Sequence, residues 1–355
     1  MSLLWCYDCG ARHSSAQVPR AFTSINSSVE VVANSGRGGN TPQIRIGATN
    51  FQPGEMQYGI RKTFSTTLVD SVYVFQRIRF SHLANSLANQ TVFALFAQNG
   101  TSVLQLRTGA TTGTDVINLW INGVKVADNV ITMTTNQQCL EIYLRCHASS
   151  GSATIHVDGV ETATVTGLSF SNLGVTQAGW FAYRSPDNYG ALSLQDVIVY
   201  KNDAVAPNSW LGPTAFIHTS FPTANGTIND FSAVGAATNW ECVDDAIADD
   251  AATSVLTSTI GAVETYNFAD LPSNVTDVIA VAPTIQAQPN GVGSSFYTKG
   301  VVKDSSGTHV TGVVAGASTW SDIQFPMSTN PATGTAWTVS AVNSGEFGFT
   351  HVAAE

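Results

Sequence analysis

The chain has 355 residues, 43% hydrophobic and 11% charged, and Asp+Glu outnumber Lys+Arg by 25 to 15, for a formal net charge of −10. Charged residues normally make up about a quarter of a globular chain, so this surface must be dominated by Ser, Thr, Asn, Gln and Gly. An acidic balance without any Lys/Arg cluster argues against nucleic-acid binding, which relies on neutralising phosphates. No apolar run reaches the roughly 18 residues of a membrane span, and Met1–Cys6 lacks a basic n-region and a proper h-region. The expectation is synthesis in the cytosol, without a signal peptide or membrane insertion. At about 100–200 residues per domain the length suggests two domains, each able to bury a core.

In chain order, Cys6-Tyr7-Asp8-Cys9 has the spacing of half a zinc site, but no second Cys-x-x-Cys or His-x-x-x-His pair follows. Most of the five cysteines read as buried thiols, and a Cys6–Cys9 disulfide formed after release is preferred over a metal. Gly36-Arg37-Gly38-Gly39 lacks the Gly-Lys-Ser/Thr ending of a phosphate-binding loop and reads as a flexible loop. From Phe64 to Tyr200 short strands alternate with Gly, Asn, Asp and Ser: Val72–Phe80, Thr91–Ala97, Val103–Arg107, Val116–Ile121 and Cys139–Arg145. Helical spacing is not sustained there, and regularly spaced strands predict a sandwich or barrel, because each strand must bury one face against a second sheet. Cys139 and Cys146 lie seven apart on a predicted strand, an odd offset that sends them to opposite faces.

Ser149–Glu161 holds two turns, at Ser150-Gly151 and Asp158-Gly159, the second with type I′ composition. The strands around Trp180–Tyr183 and Leu194–Tyr200 flank the loop Tyr183–Gly190. In that loop Tyr183, Asp187, Asn188 and Tyr189 are the candidate carbohydrate-binding residues, since sugar faces stack on Tyr and polar groups take the hydroxyls. The competing reading packs both tyrosines inward. Lys201–Pro213 is polar and Pro-containing, which places a boundary there: 1–201 as sandwich, 202–213 as linker and 214–355 as a second β-rich domain. Within the last, Val278–Ala282 and Gly312–Ala315 are the clearest apolar runs, and Asp244–Val255 is a loop or one short helix. Asp244, Asp245, Asp249 and Asp250 lack the ordered series of a calcium loop and read as a solvated face. Asn330-Pro331-Ala332-Thr333-Gly334 is turn chemistry ahead of the apolar segment opened by Trp337.

Two resemblances follow from these residues. The long strand, the Ser-Gly turn, the strand ending in Asp-Gly and the late Asp196-Val197-Ile198-Val199 strand resemble, in that order, the concanavalin A-like (laminin-G-like) jelly roll. The likeness implies an all-β sandwich over about residues 3–201, with a strand around Leu4-Trp5 paired near the C-terminal strand. Asn239–Asp245, Tyr266–Pro272 and Asn330–Phe349 resemble, again in order, a C-terminal module of tailed-bacteriophage virion proteins. That likeness implies a virion structural protein, on tail or head, partnered by other virion proteins and assembled as a trimer or higher ring, with a host-surface glycan as a further candidate partner. A glycan-binding receptor adhesin is the alternative. The Glu-x-Asp-x-x-Glu strand of jelly-roll glucanases is missing, no Gly-x-Ser-x-Gly elbow occurs, and the seven histidines show no metal spacing. The chain is therefore expected to need no metal or cofactor and to be no enzyme, with an envelope-polysaccharide hydrolase disfavoured.

Overall fold

The computed structural model describes residues 2–8, 17, 21–22, 24–25, 28–32, 43–47, 59–80, 88–111, 115–181, 192–202, 209–250, 252–289 and 296–354. The chain forms two compact units, Met1–Ile217 and His218–Glu355.

The first unit carries β1 (Ser2–Tyr7), β2 (Ser24–Ile25), β3 (Ser28–Val32), β4 (Gln43–Gly47), β5 (Gly59–Thr63), β6 (Ser71–Phe80), β7 (Thr91–Phe96) and β8 (Ser102–Thr108). There follow β9 (Val116–Ile121), β10 (Val124–Thr132), β11 (Gln138–Arg145), β12 (Gly151–Val157), β13 (Val160–Leu168), β14 (Gln177–Phe181) and β15 (Leu192–Lys201). Sheet A runs β13-β12-β11-β6-β15-β4-β3, and β1 also pairs with β15; sheet B runs β10-β9-β8-β7-β14-β5-β2. The pairings are antiparallel, and the chain repeatedly changes sheets, with β6 in A, β7–β10 in B, β11–β13 in A, β14 in B and β15 in A. Two antiparallel sheets with these crossovers make a jelly-roll sandwich, the concanavalin A-like architecture expected from the sequence. The N-terminal strand pairs with the last one, Leu3 opposite Tyr200 and Tyr7 opposite Val197.

Period-2 alternation decides which residues enter the core. Val72, Val74, Ile78 and Phe80 of β6, Leu140, Ile142 and Leu144 of β11, Leu104 and Leu106 of β8, and Ile117, Leu119 and Ile121 of β9 fill the space between the sheets. Trp180 anchors it, with its ring 5.7 Å from that of Phe93 and 6.2 Å from that of Trp5. Gln76 occupies an interior position of β6, and its carbonyl accepts the Trp180 indole N–H, which resolves a polar group that burial would otherwise penalise. Asp158 (φ 51°) and Gly159 (φ 81°) both adopt left-handed backbone, as a type I′ turn requires. Cys146 belongs to the core while Cys139 packs with Tyr73, Phe75 and Tyr200 on the other side of sheet A.

The second unit holds β16 (Pro222–Asn229), β17 (Ser232–Val234), β18 (Ser254–Leu256), β19 (Val263–Phe268), β20 (Thr284–Ala287), β21 (Phe296–Asp304), β22 (Gly307–Val310), β23 (Val314–Gly316), β24 (Ser321–Gln324), α1 (Val339–Asn343) and β25 (Glu346–Val352). A sheet ordered β16-β19-β25-β21-β22, with β23 also on β21, is its frame. Trp337 packs with Val302, Met327 and Phe347, and its indole donates to the Met327 carbonyl at 2.9 Å. Asn330 closes the turn ahead of it: its Oδ1 accepts Ala332 N–H at 2.9 Å and its carbonyl accepts Gly334 N–H at 2.8 Å. One local expectation changes. Val278–Ala282 is not a strand; Val281 alone bridges, to Met327, while Val278 and Val281 pack against the Trp337 cluster. Pro283, which has no N–H to donate, follows directly. Asp244–Val255 takes the loop alternative, with no helix among its described residues and β18 opening at Ser254; the nearest helical turn is 3₁₀, at Trp240–Cys242, ahead of it.

Candidate functional site

Tyr183, Asp187, Asn188 and Tyr189 lie outside the described residues, as does Cys9. What is described is β14, the strand that precedes them, and the face of sheet B turned away from the core.

That face is built by one row of paired residues. Arg61 on β5 stands opposite Gly179 on β14, Gly179 opposite Ala94 on β7, Ala94 opposite Gln105 on β8, and Gln105 opposite Trp120 on β9. Phe96 and Phe181, from neighbouring rows, lean together over Gly179, ring centroids 6.2 Å apart. A Cβ at Gly179 would lie 2.8 Å from Phe181 Cζ and 3.0 Å from Phe96 Cε2, so the absent side chain is what admits the two rings. The Arg61 guanidinium sits on this pair, 4.3 Å from the Phe96 centroid and 5.6 Å from that of Phe181. Arg107, two residues beyond Gln105, repeats the arrangement 4.3 Å over Trp120. Gln105 Oε1 accepts from Arg107 Nε at 2.8 Å and also from its Nη2, which fixes the plane of the guanidinium. Partial burial lowers the pKa of both arginines from the usual value, the direction expected where a cation is desolvated without an anion beside it. The Trp120 indole nitrogen is shielded from solvent and has no hydrogen-bond partner.

The electrostatics of this sheet follow from composition. β5, β7, β8, β9 and β14 read GIRKT, TVFALF, SVLQLRT, VINLWI and QAGWF, with no Asp or Glu among them. Among the described residues neither Arg61 nor Arg107 forms an ion pair. In a chain of net charge −10, this is a local inversion of sign.

The outer face of sheet A differs. Ser209–Ile217 lies across it as a strap: Glu141 accepts Leu211 N–H at 2.7 Å and Gly212 N–H at 3.1 Å, while Arg77 Nη2 donates to the carbonyls of Pro213 at 2.6 Å and Ala215 at 2.8 Å. Arg77 Nε meets Asp196 Oδ2 at 3.2 Å, and the Trp210 ring stacks 3.8 Å from His156. These charges are consumed in holding the chain's own backbone.

The same holds for the buried carboxylates of the second unit. Glu264 accepts from Phe231 N–H and Asn239 Nδ2, and Glu346 from Thr227 N–H and the Thr227 and Thr265 hydroxyls, with Lys303 3.6 Å away. Asp304, Ser306 and His309 cluster at the β21–β22 turn, but Ser306 Oγ and Asp304 Oδ1 both approach His309 Nε2, at 3.0 and 3.7 Å. A nucleophile–base–orienter relay needs the carboxylate on the other ring nitrogen, so this cluster ties the turn. No group of three or more His, Cys, Asp or Glu among the described residues is placed to hold a metal ion.

No protein-family model and no curated protein sequence matches the chain. Solved structures do. A carbohydrate esterase from the Shiga toxin-encoding bacteriophage phi24B is 15% identical over 57% of this chain and 99% of its own, with a TM-score of 0.38. The catalytic domain of a glycoside hydrolase family 131 protein from Coprinopsis cinerea is 10% identical over 60% and 100%, with a TM-score of 0.41. An alginate lyase from a Chlorella virus is 8% identical over 50% and 93%, with a TM-score of 0.35. These matches correct one expectation: the chain was expected to be no enzyme, and an esterase, a glycoside hydrolase domain and a lyase stand among the structures it resembles, so that expectation is withdrawn. At these scores they carry no activity over to this chain.

Proposed function

We propose that the chain is a saccharide-binding surface protein of a tailed-phage particle, contacting host glycan through the outer side of sheet B, where Arg61, Arg107 and Trp120 are half-buried. The observation that supports it is the acid-free patch in which the guanidinium groups of Arg61 and Arg107 are held as oriented planar donors on a rigid sheet, the first over Phe96 and the second stacked on Trp120 and fixed by Gln105. Saccharide sites combine an aromatic wall with a few oriented polar groups, and groups mounted on strands are held more firmly than groups on loops. The particle assignment rests on the resemblance of Asn239–Asp245, Tyr266–Pro272 and Asn330–Phe349 to a phage C-terminal module. In this proposal that module is the attachment element, the protein is a symmetric trimer or higher ring, and the sandwich faces the host.

A glycan array probed with the full chain tests the binding. Retention on a defined subset of glycans, lost on Trp120→Ala while the protein still melts cooperatively, is the expected result; silence across the array would remove the reading. Cryo-electron microscopy of virions, by showing density for this protein on the particle or none, decides the location.

A further inference from the structure

We infer that the ligand of the sheet B face is an anionic polysaccharide, one whose repeat carries carboxylates, gripped at two points by Arg61 and Arg107. The inference rests on the saccharide-binding reading above and names the class of sugar.

Its starting point is a charge imbalance. Lysine and arginine together number 15 against 25 Asp and Glu, yet the five strands at the centre of sheet B hold Arg61, Lys62 and Arg107 and no acid. A half-buried guanidinium normally acquires a carboxylate, since desolvation without a counter-charge is unfavourable. Arg77 on sheet A shows the ordinary solution, with Asp196 at 3.2 Å. Arg61 and Arg107 instead rest on Phe96, Phe181 and Trp120. Stacking orients both guanidinium planes; Gln105 takes the Nε edge of Arg107, which leaves its Nη edge and the Arg61 fork for a ligand, and a planar fork of donors matches a carboxylate bidentately.

The spacing separates saccharide from nucleic acid. From β5 to β8 the sheet advances three strand separations, about 14 Å at roughly 4.8 Å each. Two isolated cations at that distance, on a chain of net charge −10, cannot supply the continuous basic groove that tracks a phosphate backbone. They suit a polymer with charges at sugar-repeat intervals.

The test is binding of the full chain, by biolayer interferometry, to immobilised polygalacturonate, dextran and single-stranded DNA at low and at high salt. Polygalacturonate is expected to bind at least about tenfold more tightly than dextran, with the preference shrinking as salt screens the pairs. Arg61→Gln and Arg107→Gln should each weaken it by about tenfold or more, the range for loss of a charge-assisted hydrogen bond. Arg145→Gln, the same charge change at an exposed position of β11, should leave it unaltered. Melting curves verify folding, and the two arginines stand on different strands, so a folding defect in one variant leaves the other informative. Equal binding to dextran, insensitive to both arginine variants, would overturn the anionic ligand and leave saccharide binding intact. Preference for single-stranded DNA would overturn it as well, and binding to none of the three, with an equally silent glycan array, would remove both readings.

Discussion

Gly179→Ala is the substitution that tests the sheet B platform most directly. The glycine has no left-handed φ, so alanine can adopt its backbone, and reducing the freedom of the unfolded chain would by itself stabilise the protein by about 0.4–1 kcal/mol. Against that, the new Cβ would stand 2.8 Å from Phe181 Cζ and 3.0 Å from Phe96 Cε2. Carbon atoms prefer about 3.5–4.0 Å, so both rings must retreat by about 0.5–1 Å. Both are fully buried, and overpacking of that kind costs about 1–3 kcal/mol. The net expectation is a loss of about 1–2 kcal/mol, which for a unit of this size lowers its calorimetric midpoint by about 2–8 °C, together with weaker saccharide retention as Arg61 loses its seat. Gly100→Ala separates crowding from backbone strain: φ there is +80° with nothing within 4 Å, so it should destabilise while leaving the platform and its binding unchanged. A Gly179→Ala protein that melts at or above the parent temperature would refute the picture of two rings closed over a glycine.

Three further expectations follow from buried groups. Burial raises the Glu141 carboxyl above the usual range in spite of the Leu211 and Gly212 N–H bonds. A raised folded pKa favours the fold below the unfolded value of about 4.3 and loses that contribution as pH rises through the folded value. Urea midpoints should therefore fall between pH 4 and the raised pKa, and Glu141→Gln should flatten that slope; an unaltered slope would exclude Glu141 as its source. The Cys139 and Cys146 thiols are pushed up to about 12 by burial, so neither should be alkylated by iodoacetamide at pH 8 until the protein is unfolded, as read by peptide mass spectrometry. Asn330→Ala removes the acceptor of Ala332 N–H and should cost the second unit about 1 kcal/mol, measured by chemical denaturation; no change would mean that the turn closes without its side chain.

Local chemistry was legible in the sequence where neighbours along the chain decide it. Asp158-Gly159 announces its type I′ turn, Asn330–Gly334 its own closed turn, and the odd spacing of Cys139 and Cys146 their opposite sides, because each depends on φ preference or strand parity. The non-local features were not legible. Gln76 looks like any polar break in an apolar strand until its partner Trp180, 104 residues away, is known. Gly179-Trp180-Phe181 reads only as an apolar run, since parity says that Trp180 and Phe181 part company but not which of them meets the core. Arg61 acquires meaning through Phe96, a contact across the intervening strand β14 that no short-range pattern specifies. Trp210 read as part of a polar connector because its ring partners Tyr73, Tyr143 and His156 all lie more than fifty residues upstream.

The strap over sheet A also decides where the first unit can be excised. A fragment ended at Lys201 would strip Trp210 and Leu211 from Tyr73, Tyr143 and Tyr200, take the two backbone N–H donors from Glu141 and leave Arg77 with Asp196 but without its two carbonyl acceptors. The freshly bared tyrosine-rich surface would make such a fragment sticky in storage and invite self-association, whereas a fragment carried on to Ile217 brings its own cover with it.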